Sequence, residues 1–484
     1  MSELPASVTD AAALLRRGET TSAELTEIAL TEAHRDTFNT WLLVADEHAR
    51  GQARAADERI KKGDASLLVG IPWACKDIIG TKGIETTAAS KILKGYVPPY
   101  SATVVERLDE AGAVMIGKTN LDEFAMGSSN ENSAFGAVQN PWDTTRVPGG
   151  SSGGSAVAVA AGEAMFGLGT DTGGSIRQPG ALTGVAAMKP TYGRVSRFGV
   201  VAFASSLDQV GPFAQTVEDC AIVCEALFGK DPNDATTMPL PPENLRRDLD
   251  KGVRGMRIGV PKEFFIPGME KDVERAVRDA LRWYEKEGAE LVDVSLSLTD
   301  HGLAVYYIIQ PAEASSNLAR YDGVRFGLRV EGKDLLDTYR RTRGEGFGAE
   351  VKRRMIIGTY ALSAGYYDAY YVKAQKVRTL IKAEFDAAFA KCDAIVTPTS
   401  PTVAFKIGQK VDDPLAMYLN DVFTLPGNIA GLPGISIPCG FSQDRLPIGL
   451  QIMANSFQEA TMFRVAAAFE NATNYHDMRP QVAA

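Results

Sequence analysis

The 484-residue sequence predicts one large α/β domain built on a mixed β-sheet. Three observations lead there. Short apolar runs alternate with helical patterns along much of the chain, which argues for strands joined by helices. Residues 130–215 hold 15 of the 46 glycines and only 10 charged side chains. That is backbone packed close to something, not a solvated linker. Finally, no internal repeat and no long linker interrupts the pattern.

The first 65 residues read as a helical segment. Ser22 stands as N-cap of a helix with Leu25, Ile28 and Ala29 on one face, and a second helical pattern runs from about Asp46 to Lys62. Residues 66–215 read as a Gly/Ser-rich core. In it, Leu67–Cys75 is a short apolar run leading into Lys76-Asp77, a helical stretch lies near Ala102–Asp109, and Ala113–Ile116 is a buried-strand candidate. Ala156–Ala161 and Gly184–Met188 are too apolar for surface loops. In residues 216–484, strands are expected at Met256–Val260, Leu291–Val294 and Asp393–Pro398, and helices at Glu270–Glu287, Tyr371–Lys391 and Glu459–Glu470. Gly434–Pro438 and Gly449–Met453 look like paired late strands. All three parts are read as one domain, 1–484.

Composition narrows the function. Apolar residues make up 45% and charged residues 23%, which is globular and excludes disorder and coiled coil. The net charge of −9 argues against a broad basic face for nucleic acid, so any RNA contact needs a local patch or a more basic partner. Five cysteines without a CxxC do not form a disulfide framework and suit a reducing cytoplasm. Met1–Asp10 has no apolar core, and no window of 18 uncharged apolar residues occurs, so a cytoplasmic location is expected.

Two motif matches conflict with their surroundings. Gly112-Ala-Val-Met-Ile-Gly-Lys118-Thr119 satisfies the P-loop pattern, but its four intervening residues are strand material and the residues before Gly112 are helical. A strand end is the better reading. Gly149-Gly-Ser151-Ser-Gly153 satisfies the nucleophile-elbow pattern, but Arg146-Val-Pro148 is a poor strand and only His301 and His476 follow. The four histidines are isolated, so no metal site is expected. Cys220 and Cys224 read as small buried side chains.

What remains in the core is serine and one lysine. Gly149–Ser155 and Gly169–Pro179 are rich in Gly and Ser, and Lys76 sits among apolar residues. A serine hydroxyl is a poor nucleophile unless a base takes its proton. Burial disfavours an ammonium ion, so an enclosed lysine can be that base, with a second serine as relay. Glycines beside the nucleophile free N–H groups for an oxyanion. The residue chemistry is equally compatible with tight Gly/Ser turns and a lysine that snorkels to solvent.

The chain resembles the amidase signature family, marked by GGSSGGS at Gly149–Ser155 and DTGGSIRxP at Asp171–Pro179. Gly70–Asp77, Gly117–Gly127 and Asn140–Asp143 extend the resemblance. It implies a mixed sheet between helical layers. It also implies a triad of Ser175 as nucleophile, Ser151 as cis-serine relay and Lys76 as base, with oxyanion donors from the backbone of Thr172, Gly173 and Gly174.

Within that family the chain is similar to the glutaminase components of tRNA-dependent amidotransferases. The motifs are Phe124–Gly136, Glu313–Arg325, Gly346–Arg354 and Tyr418–Asp421. Asn130 stands where that group usually has threonine. The resemblance implies hydrolysis of glutamine and delivery of ammonia to Glu-tRNA(Gln), with Asp-tRNA(Asn) left open as a second acceptor. It implies a heterotrimer with two partners, a tRNA-binding kinase/transamidase and a small third component. No cofactor is expected in this chain; ATP and Mg2+ belong at the kinase/transamidase partner. Arg354 would meet the α-carboxylate, Asp421 the α-ammonium, and Tyr306 and Met126 would line the pocket. Tyr307 competes with Tyr306 for that role and Arg353 with Arg354, and the alternative for the two arginines is a solvated helix face. A stand-alone amidase acting on small or aryl amides is the alternative.

Overall fold

The computed structural model describes residues 3–481. Eleven strands form one sheet: β1 Trp41–Val44, β2 Pro72–Lys76, β3 Val114–Thr119, β4 Phe166–Asp171, β5 Ala186–Lys189, β6 Gln209–Ala214, β7 Arg257–Pro261, β8 Glu290–Val294, β9 Ala394–Pro398, β10 Gly434–Phe441 and β11 Pro447–Met453. Their order across the sheet is β1-β3-β2-β4-β6-β5-β10-β11-β9-β7-β8. The pairs β2/β3, β2/β4, β7/β8 and β7/β9 are parallel and the others antiparallel, so the sheet is mixed as expected. The β5/β10 pair joins the Gly/Ser-rich core to the C-terminal part in one sheet.

The helices Gly153–Ala160 and Arg177–Thr183 pack together against the centre of this sheet. Val217–Leu227, Lys271–Lys286 and Glu459–Asn471 form a second group over β6, β10 and β9. The central strands are therefore buried almost throughout.

Several expectations are corrected. The N-terminal 65 residues are not purely helical, because Trp41–Val44 pairs with β3; four half-buried residues carry no alternation from which a strand could be read. The N-cap of the helix Ser22–Arg35 is Thr21, which forms a capping box with Glu24, while Ser22 donates to the Gly70 carbonyl. Strands β4 and β6 escaped the periodicity because Phe166-Gly-Leu-Gly and Gln209-Val-Gly-Pro carry glycine and proline, both depleted in strands. The helices Gly302–Asn317, Leu335–Gly346 and Ala349–Ala361 gave no clear pattern either; the first contains Pro311 in its interior. Lys118, near the end of β3 and fully buried, donates to the Ile79 carbonyl (2.5 Å) and Thr86 Oγ1 (3.0 Å) with Asp77 Oδ1 at 3.5 Å. A lysine so enclosed cannot reach a phosphate.

Two of these helices cross very closely. A Cβ on Gly358 would land on the Pro311 carbonyl oxygen, so only glycine permits the contact between Ala349–Ala361 and Gly302–Asn317. Gly358→Ala is expected to cost about 1–3 kcal/mol of stability by forcing the helices apart. Because these helices carry Arg354 and Tyr306, substrate KM should rise as well. Denaturant titration and steady-state kinetics check the two effects; an unchanged melting midpoint would refute the crossing constraint.

Candidate active site

Strands β2 and β4 run parallel, so their C-terminal ends meet at one edge of the sheet. β2 ends with Lys76 and β4 with Thr170-Asp171. The Gly149–Ser152 turn reaches the same place and leads into the helix Gly153–Ala160.

Lys76 is fully buried. Its Nζ donates to Ser151 Oγ (2.9 Å), Ser152 Oγ (2.7 Å) and Thr170 Oγ1 (2.9 Å). Burial pushes the ammonium down to about 7, although the charges of Asp122, Asp171 and Asp208 oppose the shift. The snorkelling alternative is thereby excluded. Each partner is a hydroxyl, which can also donate, so a neutral amine here has a proton donor within reach.

The Gly150–Ser151 peptide is cis. The Ser151 carbonyl accepts the Asp122 N–H (3.1 Å). Ser151 Oγ has Lys76, not a histidine, as its partner, and no strand leads into the turn. The nucleophile-elbow pattern is therefore not realised.

Ser175 sits in the loop that follows β4. That loop is held by the Asp171 carboxylate, whose Oδ1 accepts the Gly174 N–H (2.8 Å) and whose Oδ2 accepts the Ile176 N–H (3.3 Å). Arg177, fully buried, donates to the same carboxylate from Nε (3.0 Å) and Nη2 (3.1 Å), and from Nη1 to Gln451 Oε1 (2.7 Å). Burial would raise the Asp171 carboxyl, but Arg177 outweighs it and holds the group at about 2. Ser175 is 7% exposed, and its carbonyl accepts the Ser152 N–H (3.2 Å). That backbone contact joins the two serine segments; no hydrogen bond links the Ser175 and Ser151 hydroxyls in this structure.

Of the three amides expected at an oxyanion, that of Gly174 is already taken by Asp171. The aspartate side chain closes a turn three residues on, which the motif alone does not reveal. Thr172 donates its hydroxyl to Asp208 Oδ1 (2.7 Å). Gly173 lies so close to Tyr306 that a Cβ would stand 2.7 Å from its Cζ.

The pocket residues separate cleanly. Arg354 is 3% exposed, donates from Nε to Glu350 Oε1 (2.7 Å) and from Nη1 to Gln310 Oε1 (3.2 Å), and faces the rings of Tyr307, Tyr418 and Phe203. The Arg353 side chain is 45% exposed and pairs with Glu350 on the outside. Tyr306 faces the Ser175 loop, whereas Tyr307 stacks on Tyr418 with ring centroids 3.9 Å apart. Asp421 Oδ1 would stand 3.3 Å from a Cβ on Gly174 and is buried without a partner; Oδ2 accepts the Ser128 hydroxyl. Burial pushes the Asp421 carboxyl up to about 7. Met126 is fully buried two residues before Ser128, and its carbonyl accepts Asn132 Nδ2 (3.2 Å).

Sequence reasoning missed Ser152, Thr170, Asp122, Asp171, Arg177 and Asn428 as parts of this site. Ser152, Thr170, Asp122, Asp171 and Arg177 lie inside the quoted segments, so the signal was present. Asn428 donates to Asp171 Oδ1 (2.8 Å) from more than 250 residues away and had no local signal. The spacing of Glu350 and Arg354 at i, i+4 was a legible hint of their pairing. The five cysteines are buried and free. Among the described residues no cluster of three or more His, Cys, Asp or Glu could hold a metal, and no helix is long and apolar enough to cross a membrane.

A serine pair, a buried lysine and a glycine-rich loop at one sheet edge are the equipment of an amide-cleaving acyl-transfer enzyme. The chain belongs to the amidase family, whose model, described as Amidase, matches residues 24–463. It is 58% identical over 477 residues to the A-type component of the glutamyl-tRNA(Gln) amidotransferase of Roseiflexus castenholzii, covering 98% of this chain and 97% of that one. The corresponding component from Myxococcus xanthus is 58% identical over 463 residues, 95% of each chain. Among solved structures, the A-type component of the glutamyl-tRNA(Gln) amidotransferase of Thermotoga maritima superposes with TM-score 0.76 at 44% identity, covering 93% of this chain and 99% of that one. The native peptide amidase of Stenotrophomonas maltophilia gives TM-score 0.83 at 30% identity, over 99% of both.

The lysine titration sets a pH dependence. Below about 7 Lys76 is protonated and cannot accept, so kcat/KM for an amide without an α-ammonium group should fall about tenfold per pH unit there and level off above. Lys76→Arg, which stays protonated, should show no alkaline plateau of activity. A flat wild-type profile between pH 5 and about 7 would contradict the base assignment.

Proposed function

We propose that the chain is the glutaminase component of a tRNA-dependent amidotransferase. Ser175 Oγ attacks the side-chain amide carbon of glutamine while its proton passes through Ser151 to neutral Lys76. The negative charge that develops on the amide oxygen is met by backbone amides of the Thr172–Gly173 turn. The proton returns to the leaving nitrogen, ammonia departs, and water hydrolyses the acyl-enzyme to glutamate by the same relay. Ammonia then serves the amidation of Glu-tRNA(Gln) or Asp-tRNA(Asn). The assembly is a heterotrimer in which the kinase/transamidase partner binds tRNA and uses ATP and Mg2+, and a small protein completes the complex. This chain supplies no cofactor to that reaction. An acidic chain suits a cytoplasmic complex in which tRNA is handled by a partner.

The observation that carries the reading is the pairing of opposite charges around the Ser175 loop. A buried carboxylate oxygen of Asp421 lacks any partner, and the buried guanidinium of Arg354 points inward from the helix Ala349–Ala361. The α-ammonium of an amino acid supplies the partner that Asp421 Oδ1 lacks, and its α-carboxylate adds to the Glu350 pairing of Arg354, whereas a simple amide offers neither group. The 58% identity to the Roseiflexus amidotransferase component over nearly the whole chain supports the same reading.

Ser175→Ala should abolish ammonia release and acyl-enzyme trapping. Ser151→Ala and Lys76→Ala should each lose about a thousandfold or more, and the double variant should be little worse than either single. Arg354→Ala should raise KM for glutamine about tenfold or more, while Arg353→Ala stays near wild type. Retention of full activity by Ser175→Ala would refute the assignment.

Free ammonia is mostly protonated near neutral pH, so release into solvent would waste it. The chain alone should therefore hydrolyse glutamine poorly, and the rate should rise with its partners, ATP and charged tRNA, as the competent conformer becomes populated. Full activity of the isolated chain on glutamine and on simple aryl amides alike would favour a stand-alone amidase.

A further inference from the structure

One buried side chain links the Ser151 turn to Ser128, which holds the Asp421 carboxylate, without any role in the reaction as described. Gln178 is fully buried in the first turn of the helix Arg177–Thr183. Its Oε1 accepts the Gly150 N–H (3.0 Å), and its Nε2 donates to the Ser128 carbonyl (2.9 Å). Both partners are backbone groups of fixed polarity, so the orientation of the amide is determined. Ser128 then donates its hydroxyl to Asp421 Oδ2. The other oxygen of Asp421 is the partnerless one that faces Gly174.

We propose that Gln178 is a positioning residue that couples seating of the substrate's α-ammonium group on Asp421 to alignment of the turn carrying Ser151; this rests on the glutamine reading above. An ammonium on Oδ1 fixes Asp421 as a carboxylate. Its Oδ2 then holds the Ser128 hydroxyl more strongly, because a bond to an ionised acceptor is the stronger one. Ser128 is thereby fixed, and its carbonyl anchors the Gln178 amide, which in turn holds the Gly150 N–H. An amide accepts at one end and donates at the other at every pH, whereas an ionised carboxylate in its place keeps the Gly150 bond and loses the Ser128 bond. The consequence is that the α-ammonium raises turnover and not only affinity.

The test compares glutamine with glutaramate, the same molecule without its α-amino group, in the complex co-expressed with its partner proteins, with thermal melts to verify folding. Gln178→Glu should lower kcat for glutamine about tenfold and change kcat for glutaramate by less than about threefold, since that substrate sends no signal through Asp421. Ser128→Ala breaks the same link from the other end and should show the same selective loss. The Gln178→Glu/Ser128→Ala double variant should be no worse than either single, because both act on one path. Equal losses for the two substrates, no loss for either, or an additive double variant would overturn the coupling. Asp421→Asn separates the two levels of the argument. If it keeps the preference for glutamine, the glutamine site itself is wrong and the coupling falls with it. If it loses the preference while Gln178→Glu and Ser128→Ala do not, the site stands and only the coupling is overturned.

Discussion

The buried pair of Asp171 and Arg177 is the interaction on which the rest of the site depends. Both side chains are fully enclosed, and taking two charges out of water is costly unless every polar atom is matched. Here the matching is dense. Asp171 receives the Gly174 and Ile176 amides and Asn428 as well as the guanidinium, and Arg177 also reaches Gln451 and the Thr424 carbonyl. The pair therefore does two jobs at once. It bends the loop that presents Ser175, and it ties that loop to residues 424–451, which also flank the Asp421 segment. Leaving either charge without its partner would cost about 3–5 kcal/mol, so the loop has no inexpensive alternative conformation.

Among the described residues three lysines are buried, and their acceptors distinguish them. Lys118 has the Asp77 carboxylate at 3.5 Å and donates to the Ile79 carbonyl and the Thr86 hydroxyl. Lys189 donates to the carbonyls of Pro190 and Leu432, and burial lowers it to about 7. Lys76 is lowered equally, yet its three acceptors are all hydroxyls. A carbonyl can only accept, so Lys189 has nothing to take a proton from among these partners. A hydroxyl can reverse its role. The capacity for base chemistry therefore follows from the neighbours, not from the pKa alone.

Much of this was legible in the chain. The strands and helices expected in residues 256–470 lie within three residues of the observed elements, because those strands carry apolar, β-branched runs and those helices amphipathic faces. The serine and lysine motifs drew attention to segments that the fold brings into contact. The legible signal failed where glycine replaced packing residues, as in Phe166-Gly-Leu-Gly of β4, and where a strand of four residues left no period to detect, as in β1. The Thr21 cap was missed by one position because Ser22 has the same chemistry.

The sequence by itself determined the fold class and the family resemblance, since these depend on local patterns and motifs; the grouping of particular serines, the lysine and the glycines followed only from that resemblance. Tertiary structure alone decided that Arg354 turns inward and Arg353 outward, that Tyr306 and not Tyr307 meets the Ser175 loop, that the Gly174 amide is already occupied, and that Lys118 is sealed away from any phosphate. Each of those outcomes rests on which side of an element is covered and on partners brought in from elsewhere in the fold. Adjacent residues of identical type are equivalent in a sequence and become different only when one of them loses its contact with water.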